Sequence, residues 1–401
     1  MFESLLNPVL GHASFQAVRR FLAEAAKAKG AARREGSRVT LSGLTPSAKA
    51  LVVAGLAHQV TRPLVVLTAD NEAADRLLRA ATTFLDWLGE REAGAGVLPE
   101  FDCSPYEGRS PHAEIAERRA IALWRIARGE TRVLFAPVAA ALGRFREASF
   151  YRSLALSLKP GDEVNLDDLA EHLMAIGYER AEPVIEVGQF SVRGGIVDVF
   201  PPEASKPFRI EFFGDQIESF REFDPATQRS QKKVASAALL PLAENASSPR
   251  FFSDLVATLA KRSPGRRDTG AEPDWAPEYS AAFQGWELFA PLVAPHPNSL
   301  LSLFDRPIVI WDERIERGRQ ISTTLQKWAT AYDEIRDMVP PRPRPEEIFL
   351  TEAEFWKRLE GTAQVDLTQL SVVSGPLSVV EDPASSPAGP SPPAPLPKGE
   401  G

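Results

Sequence analysis

Apolar residues in the first part of this chain fall in short unbroken runs, separated by stretches of helical period. Arg38–Ser42 (RVTLS) reads as a short strand, and Pro63–Ala69 (PLVVLTA) and Arg132–Ala136 (RVLFA) read as strands covered on both faces. Between them Ser47–Val60 reads as a helix with a broad apolar face. Glu72–Leu85 reads as another, with Asn71 as its N-cap and Asp70 just before it. Ala113–Arg128 (AEIAERRAIALWRIAR) is strongly amphipathic. Strands that alternate with helices predict an α/β unit, a parallel sheet with helices on both faces.

The period changes near Leu154. After one helix at Leu166–Met174, apolar and polar residues alternate to about Leu240, and the runs end at Pro201-Pro202, Gly214-Asp215 and Asp224-Pro225. Period two bounded by turn residues predicts an antiparallel sheet with one wet face. Residues 154–240 are therefore expected to be an inserted α+β domain. Helix and buried strand resume at Phe252–Lys261, Arg306–Trp311 and Ile315–Ile335. The α/β domain then comprises residues 1–153 and 241–375, because insertion succeeds where chain ends lie close together. Residues 376–401, rich in Pro, Ser and Ala from Pro383 onward, are expected to be disordered.

Composition narrows the function. The 401 residues carry a formal net charge of −8, whereas a chain built to grip phosphates is usually basic, so a protein partner is favoured over nucleic acid. Cys103 is the only cysteine, which excludes an internal disulfide, and the five histidines show no ligand spacing, so no metal site is expected. The start, MFESLLNPVLGH, lacks a basic signal region, and the apolar runs near Leu51 and Leu134 are too short to span a bilayer. The expectation is a soluble, cytoplasmic protein without membrane contact.

Two fragments point to a lost nucleotide site. Gly43-Leu44-Thr45-Pro46-Ser47-Ala48-Lys49-Ala50 follows a strand and opens a helix, the setting of a phosphate loop. Gly43 and Lys49 fit the pattern. Ala48 replaces the second glycine and Ala50 the hydroxyl that would hold Mg²⁺. Asp312-Glu313, after the apolar run Ile308–Trp311, has the shape of the acidic strand end that orients metal and water, although many buried strands end in acids. Gly43, Lys49, Asp312 and Glu313 thus form a degenerate nucleotide-binding loop, with no hydrolysis expected and no arginine finger in view.

The inserted sheet carries different chemistry. If Val192–Phe200 and Phe208–Phe213 form a hairpin pairing Phe200 with Phe208, then Phe200, Ile196, Phe208, Ile210 and Phe212 share the core face. Arg193, Val197, Val199, Arg209, Glu211 and Phe213 take the other. Asp198 then falls on the core face, with a buried donor or a bulge to explain it. Two arginines and an aromatic on one open face are hot-spot composition. The same face also reads as a solvated one with Arg209 paired to Glu211 or Asp215, or as a platform for single-stranded nucleic acid.

The run GQFSVRGGIVDVFPPEASKPFRIEFFGDQIESFREFDPATQRS resembles the UvrB-homology module of the bacterial transcription-repair coupling factor family, Mfd. Pro99–Gly129, with its PYE…SPH element, is similar to the same family's first domain, and the altered loop at Gly43 fits a degenerate RecA-like, P-loop-type sheet. The resemblance covers about residues 1–375. It implies transcription-coupled nucleotide excision repair, with this module recruiting the ATPase UvrA. The positions matching the UvrA-contacting residues are Arg193, Arg209 and Phe213. ATP, Mg²⁺, RNA polymerase and duplex DNA belong to the downstream translocase and polymerase-interacting domains of the full-length family. The chain ends in a Pro-rich tail unlike the family's continuation, so a truncated or frame-shifted product is expected, with its UvrA face open. The competing readings are an ATP-dependent DNA translocase, a UvrB-like repair protein and a single-stranded nucleic-acid binder.

Overall fold

A computed structural model of the chain describes residues 3–27, 38–91, 93–263, 273–369 and 379–381. The first strands are β1 (Arg38–Leu44), β2 (Leu64–Thr68), β3 (Ala95–Val97), β4 (Val133–Pro137) and β5 (Arg144–Phe145). There follow β6 (Leu156–Leu158), β7 (Glu179–Arg180), β8 (Gln189–Arg193), β9 (Ile196–Val199), β10 (Phe208–Phe213), β11 (Gln216–Phe223), β12 (Ser230–Lys233) and β13 (Ala237–Leu239). The last are β14 (Asn298–Ser299), β15 (Ile308–Asp312), β16 (Gln364–Gln369) and β17 (Val379–Glu381).

Seven strands form one sheet in the order β17-β1-β16-β15-β2-β4-β3. All its pairs are parallel except β17 on β1, which is antiparallel. The expected tail lies outside the described residues apart from Val379–Glu381, the edge strand β17. The sheet explains the unbroken apolar runs. Period two sends Leu64, Val66, Phe135, Ile308, Ile310 and Val365 into the core on one face, and Val65, Leu67, Leu134, Val309 and Trp311 into the core on the other. Trp311 is fully buried, and its indole N–H donates to Gln364 Oε1 at 3.0 Å, so no polar atom is orphaned.

One helix start differs from the expectation. Asp70, not Asn71, caps the helix Asn71–Trp87, its Oδ1 accepting from the Ala73 N–H at 2.8 Å. Asn71 spends its amide elsewhere, donating to Glu100 O at 3.0 Å and accepting from the Glu100 N–H at 2.8 Å. A side chain committed to a neighbouring segment cannot also cap.

The second large sheet runs β12-β11-β10-β9-β8-β7 and is antiparallel except for β7 beside β8. The chain enters and leaves this region through β6 and β13, which pair antiparallel with Leu156 opposite Leu239. The helix Leu166–Ala175, N-capped by Asn165, covers one face. Its Leu169 and Leu173 share a single continuous core with Tyr151, Leu154, Phe190, Val197 and Ile210, and that core reaches Leu134 and Trp311 of the parallel sheet. Arg119, on the helix Ala113–Arg128, ties the exit: it donates to Glu244 at 2.7 Å and to Pro99 O at 2.6 Å. The helix Pro249–Arg262 and residues 273–293 add a separate aromatic cluster around Phe252, Tyr279, Trp286 and Phe289. Among the described residues no helix is long and apolar enough to cross a membrane, and no group of three or more acidic, His or Cys side chains is placed to hold a metal ion.

Candidate functional site

The inserted sheet is built from tighter turns than the expected hairpin. Gly194-Gly195, with Gly194 at φ +57°, closes a two-residue turn, so the expected single strand Val192–Phe200 is the hairpin β8–β9. Phe208 lies opposite Val199, not Phe200, because Phe200 bonds to Gln189 and Gly188 on the β8 side. The one-residue difference exchanges faces on β9. Val197 and Val199 are buried in the core instead of facing outward. Ile196 and Asp198 lie on the outer face, and Asp198 stands directly opposite Arg209. Arg193, Arg209, Glu211 and Phe213 do share that outer face, because Arg193 pairs with Ile196 across the Gly-Gly turn.

The outer face is organised by charge. Arg209 grips Asp198 with two parallel bonds, Nε to Oδ1 at 2.7 Å and Nη2 to Oδ2 at 2.8 Å. Arg193 Nη2 reaches the same Oδ2 at 2.7 Å, and its Nη1 lies 3.6 Å from Glu182. The Arg209 guanidinium also sits 4.9 Å from the Phe223 ring centroid. Hydrogen bonding to Asp198 raises the Arg209 pKa above its already high ordinary value. The Arg209 side chain is 15% exposed and that of Arg193 45%. Glu211 pairs with Ser219 and lies 3.7 Å from Arg221. Arg209 therefore pairs with Asp198, where the sequence offered Glu211 or Asp215.

Phe213 is the opposite case, an aromatic 80% exposed at the end of β10. Its backbone is nonetheless fixed. Gly214 at φ +61° and Asp215 turn the chain, and Phe213 faces Gln216. The Asp215 carbonyl accepts from the Val164 N–H at 2.8 Å, pinning the turn to the body of the fold.

The second candidate site is closed. Lys49 Nζ donates to Asp312 Oδ1 at 2.6 Å and also to Glu313, and Lys49 as a residue is only 5% exposed. Topology brings these three together because β1 and β15 both flank β16. The loop itself is not a cradle: β1 runs through Gly43 and Leu44, and the helix Pro46–Gln59 starts after Thr45 alone. The Thr45 side chain accepts from the Ala48 N–H at 3.3 Å, and Pro46 has no N–H to give. Glu313 adopts φ +63°, and its carboxylate also accepts from the Gln369 N–H. Gly43 (φ +83°) sits where the β1–β16 register shifts, between Leu41 and Leu44, and pairing resumes at Leu44 opposite Gln369.

Two residues that organise the outer face were not among the expected site residues. Asp198 was visible as a misplaced acid. Gln228 carried no signal, yet its carbonyl accepts from Arg209 Nη1 at 3.3 Å. The PYE…SPH element lines a cavity of about 590 Å³ with the segment that includes Tyr279 and Phe289, away from the inserted sheet.

Comparison with known proteins places the inserted sheet. The family described as UvrB interaction domain matches residues 156–244. The transcription-repair-coupling factor of Haemophilus influenzae is 28% identical over 334 residues, which is 81% of this chain and 28% of that protein. That of Myxococcus xanthus is 38% identical over 214 residues, 53% of this chain and 18% of that protein. That of Escherichia coli is 28% identical over 340 residues, 82% of this chain and 28% of that protein. Residues 156–244 thus match the UvrB interaction domain within a longer region similar to transcription-repair-coupling factors, and the chain spans less than a third of the length of these relatives.

Proposed function

We propose that this chain is a non-catalytic adaptor that recruits UvrA through the outer face of the β7–β12 sheet, in transcription-coupled nucleotide excision repair in the cytoplasm. The observation that carries the reading is a fixed, 80% exposed Phe213 beside two ordered arginines on the domain whose family is named for UvrB interaction. Large exposed aromatics on a rigid backbone are costly to leave in water and gain on docking, and full burial of a phenylalanine side chain is worth about 1.5–3 kcal/mol. RNA polymerase and duplex DNA are, in this reading, contacts of other parts of the full-length relatives.

The same reading assigns no ATP hydrolysis to the degenerate RecA-like sheet. Lys49 is already neutralised by two carboxylates, and Thr45 has taken a donor that a phosphate would need. The translocase alternative would return if the chain hydrolysed ATP with duplex DNA and lost that turnover on Lys49→Ala.

The direct test is a titration of labelled UvrA against the parent chain and Phe213→Ala. The variant is expected to bind about tenfold or more weakly, a loss of about 1.4 kcal/mol, with its fold unchanged. Equal affinity overturns the proposal.

A further inference from the structure

The outer face holds a carboxylate that no partner can touch. Asp198 is 1% exposed, and a buried carboxylate persists only if it is paired and hydrogen-bonded. Here both oxygens are used, by three N–H groups from two arginines at 2.7, 2.7 and 2.8 Å. Arg209 has little freedom left. Of the five N–H donors of a guanidinium, four make hydrogen bonds: two to Asp198, one to Gln228 O at 3.3 Å and one to Ser230 Oγ at 3.2 Å.

The second arm of this grip is itself stiffened. Gln228 sits at φ +58°, a left-handed conformation unfavourable for a residue with a side chain. It is held there by its own bonds: its backbone N–H donates to Asp224 O at 2.7 Å, and its side-chain amide donates to Val184 O at 3.1 Å and Pro225 O at 2.7 Å. Asp224 in turn accepts from the Ala226 and Thr227 N–H groups at 3.1 and 2.8 Å. The strained carbonyl is thus aimed at Arg209 by a braced turn.

We propose that Asp198 is the positioning residue of the docking face, a buried carboxylate that presents Arg193 and Arg209 in the one geometry UvrA reads. This rests on the adaptor reading above. Two guanidinium groups share one buried acid, so this trio by itself carries one positive charge in excess, with Glu182 3.6 Å from Arg193. The half-exposed Arg193, only loosely near Glu182, is the group left to meet a carboxylate of the partner. Ordering two long side chains before contact removes an entropic cost from the binding step.

The test uses the full chain, with UvrA affinity and the Arg209 Nε–H resonance of the ¹⁵N-labelled protein as readouts. Asp198→Asn keeps the volume and removes the charge. It is expected to weaken UvrA binding about fivefold or more, through one or both lost ordering terms, and to shift and broaden the Arg209 resonance in the free chain. On an Arg209→Met background the same change is expected to cost clearly less, because residues of one network are not additive. Phe213→Ala, outside the grip, reports on the surface itself. If Phe213→Ala weakens binding and Asp198→Asn does not, the positioning role is refuted and the adaptor reading stands. If neither changes the affinity, the adaptor reading fails and the inference falls with it. Should Asp198→Asn not fold, Arg209→Lys probes the same fork, since lysine keeps the charge but cannot bridge both oxygens. Parent-like affinity in Arg209→Lys overturns the role, and a loss matching Arg209→Met upholds it.

Discussion

Replacing Lys49 with methionine keeps the length of the side chain and deletes its charge. Lys49 is nearly inaccessible, while the side chains of Asp312 and Glu313 are 19% and 24% exposed. The change would leave two adjacent carboxylates without their shared cation. Removing one partner from a buried ion pair costs about 3–5 kcal/mol, and the partial exposure of both acids places this case near the low end, about 3 kcal/mol. With a urea slope of roughly 3 kcal/mol/M, that loss moves the unfolding midpoint down by about 1 M. Urea titration followed by tryptophan fluorescence measures it, since Trp311 lies in the same buried strand as Asp312. The triple variant Lys49→Met, Asp312→Asn, Glu313→Gln should recover more than half of the loss, because neutral amides no longer repel. If Lys49 instead serves a nucleotide, the single variant should be no less stable than the parent. ATP with Mg²⁺ would then stabilise the parent by about 2.7 kcal/mol at a hundred times its Kd. A midpoint for Lys49→Met within roughly 0.3 M of the parent refutes the structural role, given that urea slope.

Gly94→Ala should fail to give soluble protein or lose about 3 kcal/mol or more, because the added Cβ would stand 1.8 Å from the Glu130 carbonyl oxygen at φ +60°. Expression yield and the urea midpoint read this directly. Asp70→Ala should cost about 1 kcal/mol in the same titration, the usual value of a lost N-cap. Glu354 accepts from Arg144 at 2.7 and 2.9 Å, and those bonds hold its carboxyl down from an ordinary 4.5 to about 2. A depressed carboxyl stabilises the fold above its unfolded value and loses that effect as the pH falls through the folded one. The stability gap between parent and Glu354→Gln should therefore be full above about pH 4.5 and vanish toward about pH 2. Solvent screening of the 41% exposed side chain limits it to about 1 kcal/mol. A gap independent of pH would contradict the pairing.

The parallel sheet was legible because a strand covered on both faces has no choice but to be apolar throughout, as in Leu64–Thr68 and Val133–Pro137. The parity of Arg209, Glu211 and Phe213 was equally secure, since it depends on one strand alone. Arg193 reached the correct face through two compensating errors: a missed Gly194-Gly195 turn and a register displaced by one residue. Asp198 carried only one of those errors and so landed in the core. Register depends on where Phe200 finds its hydrogen bonds, a tertiary choice that no local pattern encodes. The closure of Lys49 by Asp312 and Glu313 spans more than 260 positions and needed the strand order. Gln228 was invisible because its role belongs to its carbonyl, which every residue type possesses.

The continuous core beneath the inserted sheet has a mechanical consequence. Leu154, Leu173 and Phe190 share packing with Leu134 and Trp311, and Arg119 rivets the exit at Glu244. A load applied at Phe213 would pass into the parallel sheet through close-packed side chains, with no pliant tether to absorb it. Whatever the outer face captures is then held at a set angle to the frame, like cargo on a welded bracket. Cutting residues 156–244 free would strip that bracket of its backing and bare an apolar underside.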